Sequence, residues 1–208
     1  ADDAGARAVE EFASGATLLR YSLGDASADI RAENLQLTGA GSQFSLATRA
    51  SGQAEVAFPL IGEFNVANAL CSAAIALGLG IPLATVVEGL ESTPAVPGRM
   101  SRVDEGQPFG VVVDYAHTPD SLEKILRLLR SLHPEGRLIT VFGSAGERDR
   151  EKRPRQGAVA AELADVVIVT TEDPRFEDAD AIIAEIVAGA RDSGQIDDAH
   201  LHTRTERQ

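Results

Sequence analysis

The second half of the chain alternates apolar, β-branched runs with amphipathic helical segments, and this alternation restricts the fold more than any other feature. The predicted strands are FGVVVDYA, RLITVFGS, DVVIVTTED and AHLHT, and the predicted helices between them are PDSLEKILRLLRSL, RPRQGAVAAELA and DADAIIAEIVAGAR. Strands that are apolar along their whole length and are separated by helices are typical of a parallel sheet covered on both faces. We therefore predict an α/β fold for this half.

The first half has a different period. Three pairs of apolar residues alternate with polar or small ones, and glycine-rich breaks separate the pairs: Leu35 and Leu37, Phe44 and Leu46, Val56 and Phe58. This pattern predicts a small antiparallel meander with one buried face. We also predict a short helix over residues 5–13, a strand in ATLLRYSL, and two helices in FNVANALCSAAIALGLG and PLATVVEGLEST.

The segment PAVPGRMSRVDEGQP is rich in proline, glycine and charge, which is typical of a connection between domains. We therefore divide the chain into a first domain at 1–97, a linker at 98–108 and a second domain at 109–208.

Charge and cysteine content argue against several classes of protein. The formal net charge is -13, and so acidic a surface repels phosphate backbones, so we predict no nucleic-acid partner. No run reaches the roughly 20 apolar residues that a membrane-spanning helix needs, so we predict no membrane insertion. The one cysteine, Cys71, cannot form an internal disulfide, which favours a reducing cytoplasm.

Polar residues follow the first strand of the α/β half, at the end where open α/β sheets bind ligands. Thr118, Pro119 and Asp120 have a structural explanation, because together they are typical of a helix start. Asp114 and His117 do not have one. The purely structural interpretation of Asp114 is a turn-forming residue, and that of His117 is a loop histidine hydrogen-bonded to a backbone carbonyl.

The second strand leads into a basic segment of an acidic protein. Its cations are Arg148, Arg150, Lys152, Arg153 and Arg155. One interpretation is a solvated helix start with internal ion pairs, each of which contributes little to stability. The other is a clamp for carboxylate or phosphate, which the guanidinium group binds with two parallel hydrogen bonds.

The third strand ends in a group of acids beside an arginine, namely Glu172, Asp173, Pro174 and Arg175. An ordinary turn with aspartate and proline accounts for it. Carboxylates beside a guanidinium are also what a zwitterionic amino acid requires, because its ammonium pairs with the acids and its carboxylate with the arginine.

Five segments in this order and spacing, from Ile61 to about Ile186, resemble the Mur ligase family. They are GEFNVANAL, PGRMSRV, VVVDYAHTPDSLEKIL, VFGSAGERDREKRPRQG and TTEDPRFED. The resemblance implies the second half of a central ATPase domain followed by a Rossmann-like C-terminal domain. It also implies a cytoplasmic, monomeric ligase of peptidoglycan synthesis that uses ATP and Mg²⁺. Such an enzyme phosphorylates a substrate carboxylate, and the amine of an incoming amino acid then attacks the acyl phosphate.

The resemblance also implies roles for particular residues. Asn68 is expected to contact adenine, Arg99 to lie near the phosphates of ATP, and Asp114 to accept hydrogen bonds from the ribose. His117 is a candidate at the cleft between domains, without a catalytic step assigned to it. Recognition of the amino acid is expected from Arg148 and from the tetrad Glu172, Asp173, Pro174 and Arg175. The implied substrates are UDP-MurNAc-L-Ala-D-Glu and a free diamino acid.

The sequence departs from the family pattern in two ways. It has no Gly-Lys pair, so the ATP-binding loop G-x-x-x-x-G-K-[ST] is absent, and the ligands of Mg²⁺ are expected upstream. We therefore expect an internal fragment, inactive alone and without a metal site. The second departure is EDPR where the enzymes that add diaminopimelate usually have Asp-Asn-Pro-Arg.

The retained Arg175 favours meso-diaminopimelate as the added amino acid, whereas the extra acid leaves lysine or ornithine open. A folylpolyglutamate or cyanophycin synthetase would share some of these features, but the EDPR and GERDREKRP motifs disfavour both. The competing non-enzymatic hypothesis is a binding module without catalytic activity. His200 and His202 could bind a metal, but without a third ligand we interpret them as surface residues.

Overall fold

A four-stranded sheet and two helices form most of the first of two compact units, which are Ala1–Asp114 and Tyr115–Gln208. The structure is a computed structural model that describes residues 13 and 15–205, so the helix predicted at 5–13 lies, but for its last residue, outside the described residues. The short strand β1 (Tyr21–Ser22) pairs in parallel with β2 (Ile30–Thr38). β2, β3 (Gly41–Thr48) and β4 (Gly52–Phe58) pair antiparallel, which confirms the predicted meander.

The core of this unit lies between the meander and the two helices that follow it. α1 (Glu63–Gly78) and α2 (Leu83–Glu91) begin and end close to the predicted positions. Phe44 and Phe58 contact each other edge to face, with ring centroids 6.5 Å apart. Apolar side chains of both helices pack against the same cluster, including Val66, Leu70, Val86 and Leu90.

The Val111–Val113 run is a strand, but its partner differs from the prediction. This strand, β6, pairs antiparallel with β5 (Ser101–Val103) in a separate two-stranded sheet, so its expected place in the parallel sheet is wrong. The turn between them is stabilised locally, because the Gly106 N–H donates to Asp104 and the Glu105 N–H donates to Gln107. The segment predicted as a linker at 98–108 thus contains one strand of a hairpin.

The second unit contains the predicted parallel sheet, in the order β7 (Ile139–Phe142), β8 (Val166–Thr170), β9 (Leu201–Arg204). Both strand pairs are parallel, as the apolar runs indicated. The helices are α3 (Pro119–Leu132), α4 (Lys152–Leu163) and α5 (Ala179–Asp192). Their apolar residues share one core with β8 and β9, including Leu126, Ala160, Val167, Val169 and Ile186.

The start of α3 confirms the predicted capping. Thr118 accepts a hydrogen bond from the Ser121 N–H at 3.2 Å, while the Ser121 hydroxyl accepts one from the Thr118 N–H at 3.0 Å. Pro119 occupies the first turn, and Asp120 lies at the positive end of the helix dipole. Leu122, Ile125 and Leu126 form the buried stripe that follows.

Two further properties of the described part of the chain bear on function. None of its helices combines the length and the apolar character that crossing a membrane requires. Within residues 13 and 15–205, no three or more His, Cys, Asp or Glu side chains are grouped closely enough to hold a metal ion. His200 is exposed, and its Nδ1 lies 2.6 Å from Oδ1 of Asp197, which agrees with its interpretation as a surface residue.

Candidate functional site

The loops that leave β7 and β8 contact each other at the carboxyl edge of the parallel sheet. The Gly146 N–H donates a 2.8 Å hydrogen bond to the carbonyl oxygen of Asp173. A Cβ atom on Gly146 would lie 2.0 Å from the Pro174 carbonyl oxygen, and one on Gly143 would lie 2.4 Å from that of Thr170. Only glycine allows backbones to approach so closely, so these two glycines bring the Arg148 loop against the Glu172–Arg175 loop.

Within the second loop, Asp173 turns back toward Arg175. The Arg175 N–H donates to Asp173 Oδ1 at 3.3 Å, and Arg175 Nε lies 3.6 Å from Asp173 Oδ2. Arg175 has a φ of 51°, in the left-handed region that non-glycine residues rarely adopt. Glu172 and Asp173 are exposed at the sheet edge beside it. The tetrad therefore presents carboxylates and one guanidinium on a single tight turn.

The cations of the basic segment fall into two groups, those that are paired and those that are exposed. Arg150 and Arg153 pair with Glu177 and Glu185, and the Lys152 ammonium donates to the carbonyl oxygen of His117 at 3.0 Å. Arg148 and Arg155 are exposed, and neither makes a hydrogen bond or ion pair with the residues that the structure describes. The two arginines differ in position, since only Arg148 lies on the loop that contacts the tetrad.

The interpretation of a solvated helix start is wrong for Arg153, whose side chain is fully buried. Its guanidinium donates to Glu177 at 2.9 and 3.0 Å, to Glu185 at 2.8 Å and to the carbonyl oxygen of Ala145 at 3.3 Å. Hydrogen bonds from Arg153 and from the Glu147 N–H lower the pKa of Glu177 to about 2, so its carboxylate stays ionised. The same pairing raises the pKa of Arg153.

Sequence reasoning did not single out Arg153, Glu177 and Glu185 as a group. A signal was present, because α4 begins with Lys152, Arg153, Pro154 and Arg155 and has no acidic residue in its first turn. Cations at a helix N-terminus oppose the helix dipole, so carboxylates from elsewhere are needed beside them. Nothing in the local sequence indicates which carboxylates those are.

Asp114 directly follows β6 and accepts a hydrogen bond from the backbone beside Arg99. Its Oδ2 accepts a 2.8 Å hydrogen bond from the Met100 N–H. Met100 is buried and has a φ of 48°, so this carboxylate stabilises an unusual backbone conformation directly after Arg99. Asp114 thus has the structural role that its position after a strand did not reveal. The side chain of Arg99 is exposed on the same turn.

His117 makes the backbone contact that the interpretation as a loop histidine predicted. Its Nδ1 lies 2.9 Å from the Tyr115 carbonyl oxygen, and its ring lies 4.9 Å from the Tyr115 ring. Asn68 is exposed on α1, where its carbonyl oxygen accepts from the Ser72 hydroxyl. Asn65 of the same motif is buried and donates to the Ile61 carbonyl oxygen at 2.8 Å.

Family models match most of the chain. The model described as Mur ligase, glutamate ligase domain, matches residues 98–207, and the Mur ligase middle domain model matches residues 1–76. The chain belongs to the Mur ligase family. The first match includes the β7 and β8 loops and Asp114, and the second includes Asn68.

Similar Mur ligases are longer than this chain. A UDP-N-acetylmuramyl-tripeptide synthetase of Roseiflexus sp. (strain RS-1) is 52% identical over 170 residues, which are 82% of this chain and 33% of the relative. A UDP-N-acetylmuramoyl-L-alanyl-D-glutamate--2,6-diaminopimelate ligase of Bacillus licheniformis is 46% identical over 176 residues, which are 85% of this chain and 36% of the relative. The chain therefore spans about a third of the length of these curated relatives.

A solved structure of a UDP-N-acetylmuramoyl-L-alanyl-D-glutamate--2,6-diaminopimelate ligase resembles the chain as well. It is 34% identical, the match covers 99% of this chain and 42% of that one, and the TM-score is 0.60. Sequence and structure thus agree on the Mur ligase fold, a mixed α/β arrangement with a parallel sheet in its second unit.

Proposed function

We propose that this chain supplies the amino-acid-binding and part of the nucleotide-binding surface of an ATP-dependent ligase that adds meso-diaminopimelate to UDP-MurNAc-L-Ala-D-Glu. The observation that carries the proposal is the backbone contact between Gly146 and Asp173, because it joins the Arg148 loop to the Glu172–Arg175 loop. The name of the relative from Bacillus licheniformis, a 2,6-diaminopimelate ligase, supports the same amino acid, and that of the relative from Roseiflexus, a UDP-N-acetylmuramyl-tripeptide synthetase, supports the formation of a tripeptide.

The joined loops have the charges that a diamino acid requires. Diaminopimelate has an amino group and a carboxyl group at each end, so the free molecule carries two ammonium groups and two carboxylates. Arg148 and Arg175 are suited to the carboxylates, because a guanidinium binds a carboxylate through two hydrogen bonds. Glu172 is suited to an ammonium, whereas the Asp173 carboxylate lies beside the Arg175 guanidinium. Orientation of the attacking amine, rather than proton transfer by a residue of these loops, is the role we assign to them.

Asp173 bears on the choice between diaminopimelate and a simpler diamino acid. An additional carboxylate in the site would favour lysine or ornithine, whose side chain ends in an ammonium group. Asp173, however, lies 3.6 Å from Arg175 Nε and accepts the Arg175 N–H. Its charge is therefore partly compensated within the tetrad. This arrangement supports diaminopimelate, for which the guanidinium matters more than the extra acid.

Residues of the first unit fit one side of a nucleotide. Arg99 and Asn68 are exposed, and the hydrogen bond from Met100 to Asp114 fixes the backbone that carries Arg99. We assign Arg99 to the phosphates of ATP, Asn68 to adenine and Asp114 to the ribose. Bound ATP would supply the phosphoryl group that activates the substrate carboxylate as an acyl phosphate. No described residues form a set that fits Mg²⁺, so we assign it no ligand here.

The proposal is tested by kinetics on the full-length ligase. With meso-diaminopimelate, lysine and ornithine as substrates, we expect the highest kcat/KM for meso-diaminopimelate. Arg175→Ala should raise the KM for meso-diaminopimelate about tenfold or more, because a charge-assisted hydrogen bond contributes about 1.5–3 kcal/mol. The KM for ATP should stay within about twofold of the unchanged enzyme.

Arg191→Ala is the matched control, because Arg191 lies near the end of α5 and pairs only with Asp198 among the described residues. It should leave the KM for meso-diaminopimelate and the KM for ATP unchanged. An unaltered KM for meso-diaminopimelate in Arg175→Ala would contradict the assignment of Arg175. A full-length protein that binds the amino acid but never hydrolyses ATP would favour the non-catalytic module instead.

A further inference from the structure

Arg153 is a fully buried charged residue that the proposed reaction leaves without a role. It lies in the first turn of α4 and binds three separate parts of the second unit. Glu177 belongs to the loop after β8, Glu185 to α5 and Ala145 to the loop after β7. The Arg153 guanidinium therefore connects the loops after β7 and β8 to α5.

Packing alone does not require a guanidinium at this position. Taking a charge out of water is unfavourable, and replacing buried ion pairs by apolar residues is often neutral or stabilising. Arg153 Nε, moreover, has no hydrogen-bond partner among the described residues. What an apolar side chain could not do is bind the carboxylates of Glu177 and Glu185 and the Ala145 carbonyl simultaneously. The arginine thus serves the geometry of these segments.

The connections reach the backbone on both sides of the candidate substrate residues. Glu177 accepts the N–H of Glu147, which directly precedes Arg148, and its own N–H donates to the Pro174 carbonyl oxygen at 2.9 Å. Glu147 has a φ of 53° and Arg175 one of 51°. Non-glycine residues keep such conformations only where the surroundings impose them. Glu177 links the two strained positions, because its carboxylate accepts the Glu147 N–H and its backbone N–H donates to Pro174, which directly precedes Arg175.

The base of this network is rigid. A Cβ atom on Gly157 of α4 would lie 2.0 Å from the Ile186 carbonyl oxygen, and one on Gly189 of α5 would lie 1.9 Å from that of Pro154. The two helix backbones therefore touch directly beside the Arg153–Glu185 pair. A loop held to this base through Glu177 has little freedom to move.

We propose that Arg153 and Glu177 are positioning residues that hold the Arg148 and Arg175 loops in the arrangement that binds the amino acid. The proposal rests on the proposed function, since it presumes that these loops bind the incoming amino acid. Neither Arg153 nor Glu177 is required to touch the substrate. They determine its affinity through the two backbone segments between which it binds.

The test uses the full-length ligase with Glu177→Gln and Arg153→Lys. Glu177→Gln keeps the shape of the side chain but loses the charge that binds Arg153, and Arg153→Lys keeps the charge but loses the two-pronged hydrogen bonding. Each should raise the KM for the amino acid about tenfold, while the KM for ATP stays within about twofold. If Arg153→Lys does not fold, Glu177→Gln decides, because its side chain is 20% exposed and tolerates an isosteric change.

The matched controls are Arg130→Lys and Asp165→Asn. Arg130 donates to Asp165 at 2.7 Å and to the carbonyl oxygens of Gly136 and Leu163, so it is a comparable network in the same unit. This network lies at the start of β7, since Asp165 also accepts the Leu138 N–H. The controls should lower the Tm and leave the KM for the amino acid unchanged. A general loss of stability would instead affect both pairs of variants alike.

A double substitution separates positioning from the proposed function. In an Arg175→Ala background, Glu177→Gln should raise the KM for the amino acid by only about threefold, because one of the two arginines that it positions is absent. A full tenfold effect in both backgrounds would overturn the proposal that Glu177 acts through Arg175. If Arg175→Ala raises the KM for the amino acid while Glu177→Gln and Arg153→Lys do not, the positioning proposal is wrong and the proposed function stands. If Arg175→Ala has no effect, the proposed function fails first.

Discussion

At the scale of single residues, the tetrad combines two groups that restrain each other. Asp173 accepts the Arg175 N–H and also lies 3.6 Å from the Arg175 guanidinium. The first contact forms the turn, and an asparagine oxygen would accept that hydrogen bond equally well. The second contact involves the negative charge, which would compete with a carboxylate of the proposed amino acid for the same guanidinium. Asp173 thus stabilises the turn, and its charge reduces the affinity of the Arg175 guanidinium for another carboxylate.

Asp173→Asn should therefore lower the KM for meso-diaminopimelate by about threefold in the full-length ligase, because exposed ion pairs contribute up to about 1 kcal/mol. The turn should persist, so kcat should be unchanged. The measurement is the initial rate at increasing concentrations of meso-diaminopimelate, with Asp198→Asn as the control, since Asp198 pairs with Arg191 on α5. A rise in KM would mean that the Asp173 carboxylate binds the substrate ammonium directly.

Residues whose roles depend on neighbours in the chain were predictable from the sequence, and those that depend on distant partners were not. Thr118, Pro119 and Asp120 were predicted as a helix start because capping involves residues three positions apart. For Arg153 the sequence allows a solvated helix start or an anion clamp and does not predict burial, since its carboxylate partners lie 24 and 32 positions away. The role of Asp114 was missed for the same reason, because its partner Met100 is 14 positions earlier.

At the scale of secondary-structure elements, the contact between α4 and α5 depends on two glycines. The backbones approach so closely that a Cβ on Gly189 would lie 1.9 Å from the oxygen and 2.4 Å from the carbon of the Pro154 carbonyl. Those atoms belong to the backbone of α4, so no side-chain rotation relieves the overlap. The helices must separate, which also lengthens the contacts of Arg153 with Glu185.

Gly189→Ala is expected to destabilise the protein by about 2 kcal/mol, within the range for inserting a methyl group into a packed core, and to lower its Tm. Gly89→Ala is the control, because Gly89 lies in α2 with open space where its Cβ would be. That substitution should stabilise the protein by about 0.5–1 kcal/mol through the higher helix propensity of alanine. Urea unfolding measures both, and a Gly189→Ala protein as stable as the unchanged one would disprove the close contact.

The elements themselves followed largely from periodicity, whereas pairing between strands did not. All five described helices and the parallel strands β7, β8 and β9 lie where the apolar patterns predicted them. Val111–Val113 was correctly predicted as a strand, but an apolar run of three valines suits a parallel and an antiparallel neighbour equally. Its pairing with Ser101–Val103 depends on the Asp104–Gln107 turn, which had been interpreted as part of a linker.

At the scale of the whole molecule, the described residues form two hydrophobic cores that share no residue. The first draws its buried residues from Ile30 to Leu90, and the second draws its residues from Leu122 to Leu201. The sequence anticipated this division through its change of period, from alternating apolar residues in the first half to continuous apolar strands in the second. Each unit thus has its own source of hydrophobic stabilisation.

Separate cores predict separate responses to loss of packing. Leu70→Ala and Ile186→Ala each remove a fully buried side chain, one from each core, and each should cost about 3 kcal/mol. Hydrogen exchange followed by mass spectrometry should show faster exchange in the peptides of the unit that carries the substitution, because local opening depends on the stability of that unit. Peptides of the other unit should exchange at their original rate.

Ile75→Ala is the control, since Ile75 lies on α1 with 62% of its surface exposed. Its removal should change the free energy of unfolding by less than about 0.5 kcal/mol and leave exchange unaltered throughout. If Leu70→Ala accelerates exchange in β7–β9 as much as in β2–β4, the two cores unfold as one cooperative body. In that case substitutions in the first unit would also alter the proposed binding of the amino acid by the second. With independent cores, Leu70→Ala leaves the contact between Gly146 and Asp173 protected, because the Gly146 amide belongs entirely to the second unit.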